Sequence, residues 1–135
     1  MEATPGSAIP ASGTATYKGY TSGIYVNGNK SFLTVANMTA NADFAARSVQ
    51  FATNNSNMTN VISNASSANP DLDLSGTLSY AKGKNGLSGA IKSANGMTGN
   101  AKGQFYGPKA QEIGGTFLAT GTGNQGYMGA FGGKR

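Results

Sequence analysis

The chain has no cysteine and no histidine, and only 11% of its residues are charged. Without cysteine there is no disulfide and no thiolate metal site. Without either residue, the usual nucleophile–base pairs are missing and tetrahedral zinc or His/Cys-ligated haem is excluded. Acids are scarce too: Glu2, Asp43, Asp71, Asp73 and Glu112. No apolar run approaches the length of a transmembrane helix. Met1 to Ser12 lacks the hydrophobic stretch of a signal peptide. The opening MEATPGSAIPASG reads instead as a linker behind an added start methionine, as in a mature or excised fragment of an exported protein. These absences predict a non-enzymatic protein with no cofactor and no metal.

Glycine is abundant, at 21 residues. It is not distributed as in a low-complexity segment, because the glycines alternate with large apolar residues. The clearest stretch is Gly103 to Phe117, GQFYGPKAQEIGGTF. Met97, Gly99, Ala101, Gly103 and Phe105 share one face before it ends; Ile113, Gly115, Phe117 and Ala119 share one face after the chain turns. Period-two alternation marks a half-buried antiparallel strand. Gly107-Pro108 ends the first strand, since proline has no amide to give a ladder.

The same rhythm predicts eight strands. The first runs from about Gly13 to Val26 with Tyr17, Gly19, Thr21, Gly23 and Tyr25 on one face, and Asn27-Gly28 turns it. The second spans about Phe32 to Phe44. The third is short, with Val49 and Phe51 inward. Asn54 to Pro70 then breaks the rhythm; Met58, Val61, Ile62 and Ala65 fall at helical spacing, which predicts a long loop with a short amphipathic helix. Strands follow at Asp71–Tyr80, Leu87–Ser93, Met97–Tyr106 and Ile113–Thr120, and the eighth carries Tyr127, Gly129 and Phe131. Residues 1–12 are expected as a disordered tail or linker and 13–135 as the β-domain.

A meander of this size leaves two bare edges unless first and last strands pair. The expected fold is therefore all-β: a single eight-stranded antiparallel up-and-down barrel, with a flattened sandwich as the alternative. Interior alternation of Gly or Ala with Leu, Ile, Phe or Tyr suits a narrow barrel filled by its own side chains. A membrane barrel would present the apolar set to lipid, and that set is too thin for a lipid belt.

Other motifs carry little. Gly121, Gly123 and Gly126 spell GxGxxG but precede a strand, not a helix, so a hairpin turn is expected. Asp71 and Asp73 lie two apart on a predicted strand and read as a solvated face. Asn-X-Ser/Thr matches such as Asn37-Met38-Thr39 and Asn57-Met58-Thr59 are what an Asn/Ser/Thr-rich chain produces by chance. The net charge of +5 and pI near 9.6 come from thinly spread cations, which argues solubility and edge protection and no nucleic acid.

The segment GQFYGPKAQEIGGTF, with GAFGGKR at Gly129 to Arg135 and ADF at Ala42 to Phe44, resembles the β-barrel domain of transferrin-binding protein B and related bacterial surface lipoproteins. Similar barrels occur in factor H binding protein and in secreted haem-acquisition proteins. Phe105, Tyr106, Gly107, Pro108, Glu112, Gly114, Gly115 and Phe117 carry the core of the match, and their roles read as structural. The resemblance implies a barrel outside the cytoplasm, secreted or at the outer-membrane surface of a bacterium. It also implies a host or partner protein, and a lipid anchor on a longer precursor in place of a membrane span.

Loops alternate between barrel ends. Those near residues 27–31, 54–70, 94–96 and 121–125 share the end away from both termini. A partner is expected there, on Asn29, Met58, Asn60, Ile62 and Asn124. The alternative is a lipocalin-like carrier of a small apolar ligand, with room left by interior glycine.

Overall fold

The interior alternation becomes a closed wall. A computed structural model describes residues 2–135; Met1, the first residue of the expected tail, lies outside the described residues. The strands are β1 (Thr14–Asn27), β2 (Lys30–Asp43), β3 (Ser48–Asn60), β4 (Ser66–Ala68), β5 (Leu74–Ser79), β6 (Leu87–Ser93), β7 (Thr98–Tyr106), β8 (Glu112–Gly121) and β9 (Gln125–Lys134). Their order is β2-β1-β9-β8-β7-β6-β5-β3, and β2 pairs with β3 to close the ring. β1 and β9 seal the seam over Lys18↔Lys134 to Asn27↔Gln125. The result is the eight-stranded antiparallel barrel, with β4 as one extra strand on the edge of β3.

Interior glycines let the wall curl. A Cβ on Gly99 would fall on the Leu118 carbonyl oxygen, and one on Gly115 on that of Lys102. Only glycine permits so close a backbone approach. Between these pinches the large side chains fill the centre. Tyr17, Met38, Phe51, Phe105 and Tyr127 are fully buried. Phe51 meets Phe131 with ring centroids 4.8 Å apart, and Phe117 meets Tyr127 edge-on at 4.9 Å. Every residue assigned inward on β1 and β5 to β9 from the alternation faces the interior, including the glycines of partial exposure between them.

Two expectations fail at the third strand. β3 is 13 residues long, and no helix forms over Met58 to Ala65. The cause is a bulge. Val35 pairs with Asn57 but Asn37 with Asn54, so β3 carries one extra residue, and Asn55 adopts φ 52. Asparagine tolerates that left-handed conformation. Val49, Phe51 and Thr53 point inward before the bulge; Ser56 and Met58 do so after it. The phase reversal hides the strand from a period-two reading. Beyond Asn60 the chain turns, adds β4, and enters a single 3₁₀ turn at Pro70–Leu72 capped by the Asn69 side chain. Asp71 therefore lies in that turn, not on a strand beside Asp73. At the first hairpin the loop residues are Gly28-Asn29, one position later than expected, with φ 64 at Gly28 as a type II′ turn requires.

The segment expected as a disordered tail instead docks on the barrel. The Thr4 amide donates to the Phe105 carbonyl at 2.9 Å, and the Gly107 amide to that of Glu2 at 2.9 Å. Thr4 is buried, and its hydroxyl donates to the Gly107 carbonyl. Where β6 ends short of β7, the Asn85 side chain takes over its role. Its Oδ1 accepts from the Phe105 amide, and its Nδ2 donates to the Phe105 and Thr4 carbonyls, each at 2.8 Å. Arg135 closes the same mouth from below, donating to the Ala110 and Lys109 carbonyls over the rings of Tyr17 and Phe44.

Three predictions follow from this packing. Gly99→Val should destabilise the barrel by about 3 kcal/mol or more by overpacking against backbone, whereas Gly126→Ala, which meets nothing within 4 Å, should shift the urea midpoint little. Asn85→Ala should cost about 1–3 kcal/mol by orphaning the Phe105 amide, with faster hydrogen exchange at that amide. Burial raises the pKa of Tyr17, Tyr25, Tyr80 and Tyr127 above the ordinary 10.0. A group that holds its proton more tightly folded than unfolded stabilises the fold fully below the unfolded value. That stability is lost as pH rises through the folded value. Thermal unfolding should therefore show a plateau below pH 10 and a falling midpoint above it.

Candidate functional site

Four hairpin ends meet at the barrel end remote from the termini. The Gly28 amide donates to the Asn124 carbonyl at 3.3 Å, which joins the β1–β2 and β8–β9 turns. The Val61 amide donates to the Ser31 carbonyl at 3.2 Å, which joins the β3–β4 turn to them. On the other side, the amides of Ala94 and Asn95 donate to the carbonyls of Asp73 and Asp71. The Gln125 side chain links the rim to the interior, since its Oε1 accepts from the Tyr25 hydroxyl at 2.9 Å and from Asn95 Nδ2 at 3.1 Å.

The five residues expected to meet a partner have distinct positions here. Asn29 and Asn124 are exposed on adjacent turns, with Asn124 at φ 60. Ile62 is at the tip of the β3–β4 turn and is 88% exposed. Asn60 shapes that tip: its Oδ1 accepts from the amides of Ile62 and Ser63, and its own amide donates to the Ala65 carbonyl. Met58 packs partly buried against the core, with Asn69 Nδ2 on its sulfur at 3.4 Å. Geometry thus gives Asn29, Ile62 and Asn124 open surface, and gives Asn60 and Met58 the support of the tip.

The motif residues are elsewhere. Phe105 and Phe117 are buried, Gly115 carries a wall contact, and Gly107 has φ 93 in the β7–β8 turn with Pro108. Tyr106, Glu112 and Gly114 lie on the outer face of β7 and β8, away from the far end.

Sequence reasoning missed Leu33 and Val35, each 57% exposed on the outer face of β2. They lie out of phase with inward Thr34 and Ala36, a signal visible in the alternation itself. Leu33 pairs with Ile24, Ile24 with Met128, and Met128 with Leu118. These four make one apolar row across β2, β1, β9 and β8 close to the far rim, and Val61 and Ile62 extend it upward.

Charge is polarised along the barrel. Lys18, Arg47, Lys82, Lys84, Lys109, Lys134 and Arg135 lie toward the end with the termini, beside Glu2, Asp43 and Glu112. The far end has Lys30 and Lys92 against Asp71 and Asp73, and so no net charge. Among the described residues, no three Asp or Glu side chains come together as a cation site would need, and no helix is long and apolar enough to cross a membrane. Inside the far end, the hydroxyls of Thr21, Thr34 and Tyr127 are enclosed without a hydrogen-bond partner. Desolvation by burial dominates the raised pKa of Tyr127.

Comparison with known proteins agrees with this architecture. The chain matches transferrin-binding protein B of Haemophilus parasuis Hp5, in a point-mutant structure, with TM-score 0.74 and 19% identity over 98% of this chain. It matches isotype 1 transferrin-binding protein B of serogroup B Neisseria meningitidis with TM-score 0.68 and 22% identity, also over 98%. A protein described as a surface lipoprotein matches with TM-score 0.60 and 15% identity over 97%. The chain spans 28% of the length of each of the first two and 64% of the third. No curated protein matches it by sequence. The family model of the C-lobe and N-lobe β-barrels of Tf-binding protein B matches residues 9–135. A wall of these strands, filled in this way and matched over nearly its whole length, belongs to the family of transferrin-binding protein B β-barrels.

Proposed function

We propose that this barrel is a non-enzymatic, protein-binding module of a bacterial cell-surface protein and that its far end meets the partner. The observation that carries the reading is the coincidence of three properties at one end. It has no net charge, it projects Val61 and Ile62 from a tip held by Asn60, and it continues into the outward row Leu33, Ile24, Met128 and Leu118. Exposed apolar groups gathered in one place are the usual mark of a protein-binding surface. Met58 supports the tip from below, and Asn29 and Asn124 supply a polar rim.

Relatives named for transferrin make a host protein the first partner class to test. The cell surface, with the domain tethered at its basic end through a lipid anchor on a longer precursor, is the location this reading requires. The carrier alternative lacks support, because Tyr17, Met38, Phe51, Phe105 and Tyr127 occupy the centre where a ligand would sit.

The test is a Val61→Ser/Ile62→Asp double variant, with Lys82→Glu/Lys84→Glu at the opposite end as control. Both should unfold at wild-type denaturant concentration, since these positions are exposed. Binding to transferrin or to another captured serum protein should weaken at least tenfold in the first variant and stay unchanged in the second. Full affinity in the Val61→Ser/Ile62→Asp variant would remove the far end from consideration.

A further inference from the structure

Most glycines on the strands face inward, where the wall requires them. Gly114, Gly126 and Gly132 do not, and the first and last of these form a pair. Gly114 and Gly132 lie outward and directly opposite each other on β8 and β9. A Cβ on Gly132 would meet only the Ile113 carbonyl oxygen, at 3.8 Å, so the fold itself has room for a side chain there. Their neighbours are aromatic. Tyr106 leans its ring over Gly114, 3.3 Å from where a Cβ would be. Tyr20, paired with Gly132 across the β1–β9 seam, stands clear of it and is 72% exposed. Tyr20 on β1 and Tyr106 on β7 are three strand spacings apart, about 14 Å, and the Tyr106 ring narrows the floor by leaning back over β8. The floor forms an open trough of about 570 Å³.

One side of the trough is charged. Register places Glu112, Lys134 and Lys18 in consecutive positions across β8, β9 and β1. Lys18 and Lys134 are therefore directly opposed like charges, an arrangement that destabilises an antiparallel pair. Glu112 is the one carboxylate in register beside them. A bound anion would relieve their repulsion.

The geometry points to a carbohydrate site on this face, which takes a pyranose ring bearing a carboxylate. The ring lies flat on Gly132 between Tyr20 and Tyr106, since aromatic side chains with an apolar face and a polar edge suit a sugar's mixed surface. Its carboxylate meets Lys18 and Lys134, and Glu112 accepts from ring hydroxyls. This site is separate from the far end and does not depend on the protein partner proposed there.

Saturation-transfer NMR with 3′-sialyllactose, and with lactose as the neutral probe, tests the assignment. The wild-type protein should transfer saturation to the acidic ring with millimolar affinity and not to lactose. Gly132→Thr fills the floor with an outward β-branched side chain and should melt no lower than wild type while losing transfer at least tenfold. Lys18→Gln should weaken it about fivefold, and Tyr20→Ala should abolish it. No transfer to sialyllactose, equal transfer to lactose, or undiminished transfer in a folded Gly132→Thr variant would each overturn the proposal.

Discussion

In the barrel wall, a carbonyl oxygen of one strand occupies the space where the next strand's residue would place its Cβ. Gly19 faces the Gly132 carbonyl in this way, Gly99 that of Leu118, and Gly115 that of Lys102. Close approach of this kind coils the strands tightly enough for eight of them to close. It also decides what fills the centre. Each glycine leaves lateral room that a large neighbour on an adjacent strand occupies, so the interior is a set of interlocked aromatic and aliphatic side chains. The hydrophobic stabilisation and the curvature therefore have one origin, and neither survives without the other.

With the centre filled, the outer wall and the two ends are the surfaces open to contact. The two ends then differ because of their connections. At the end with the termini, residues 2–4 and Asn85 complete the ladder that β6 leaves short, and Arg135 covers the mouth. Backbone groups there are spent on closure. At the other end, hairpin turns touch one another through a few bonds and leave their tips free. The cations follow the same division, so charge, chain path and surface chemistry all give the barrel a direction.

Much of this was legible from alternation alone. Inward residues on β1 and β5 to β9 could be assigned because a strand in a filled barrel has one crowded face and one wet face, and the period never changes. Two regions were not legible. The Asn55 bulge reverses the phase of β3, so Ser56 and Met58 appear to belong to a new element. The docking of the N-terminal segment was also hidden, because Glu2 and Thr4 are held by backbone bonds to Gly107 and Phe105, and such bonds leave no side-chain signature. Loop parity also put Ile62, Asn29 and Asn124 at the far end, where they are exposed. Leu33 and Val35 were visible as out-of-phase apolar residues, but parity arguments attend to loops and pass over strand faces.

The division between inner and outer faces also separates two reasons for a glycine to be present. On the inner face, glycine answers to the backbone beside it, and a Cβ would collide with that backbone. On the outer face no such demand exists. Thr16, Ser22, Thr116 and Ala130 show that the wall accepts a Cβ at outward positions. Gly126 is as free, and Gly132 differs from it in its surroundings, which offer another cause for glycine there, since a β-branched residue on an open strand face ordinarily favours the strand. Its nearest neighbours give that cause a chemical direction. An exposed tyrosine that could have covered the gap leaves it open, and beside it two lysines sit opposite each other with the one carboxylate of Glu112 on β8 to answer them. A wall built only for stability would exchange one lysine for a threonine and one glycine for a valine. Retaining both at adjoining positions is intelligible if something flat and negatively charged rests there.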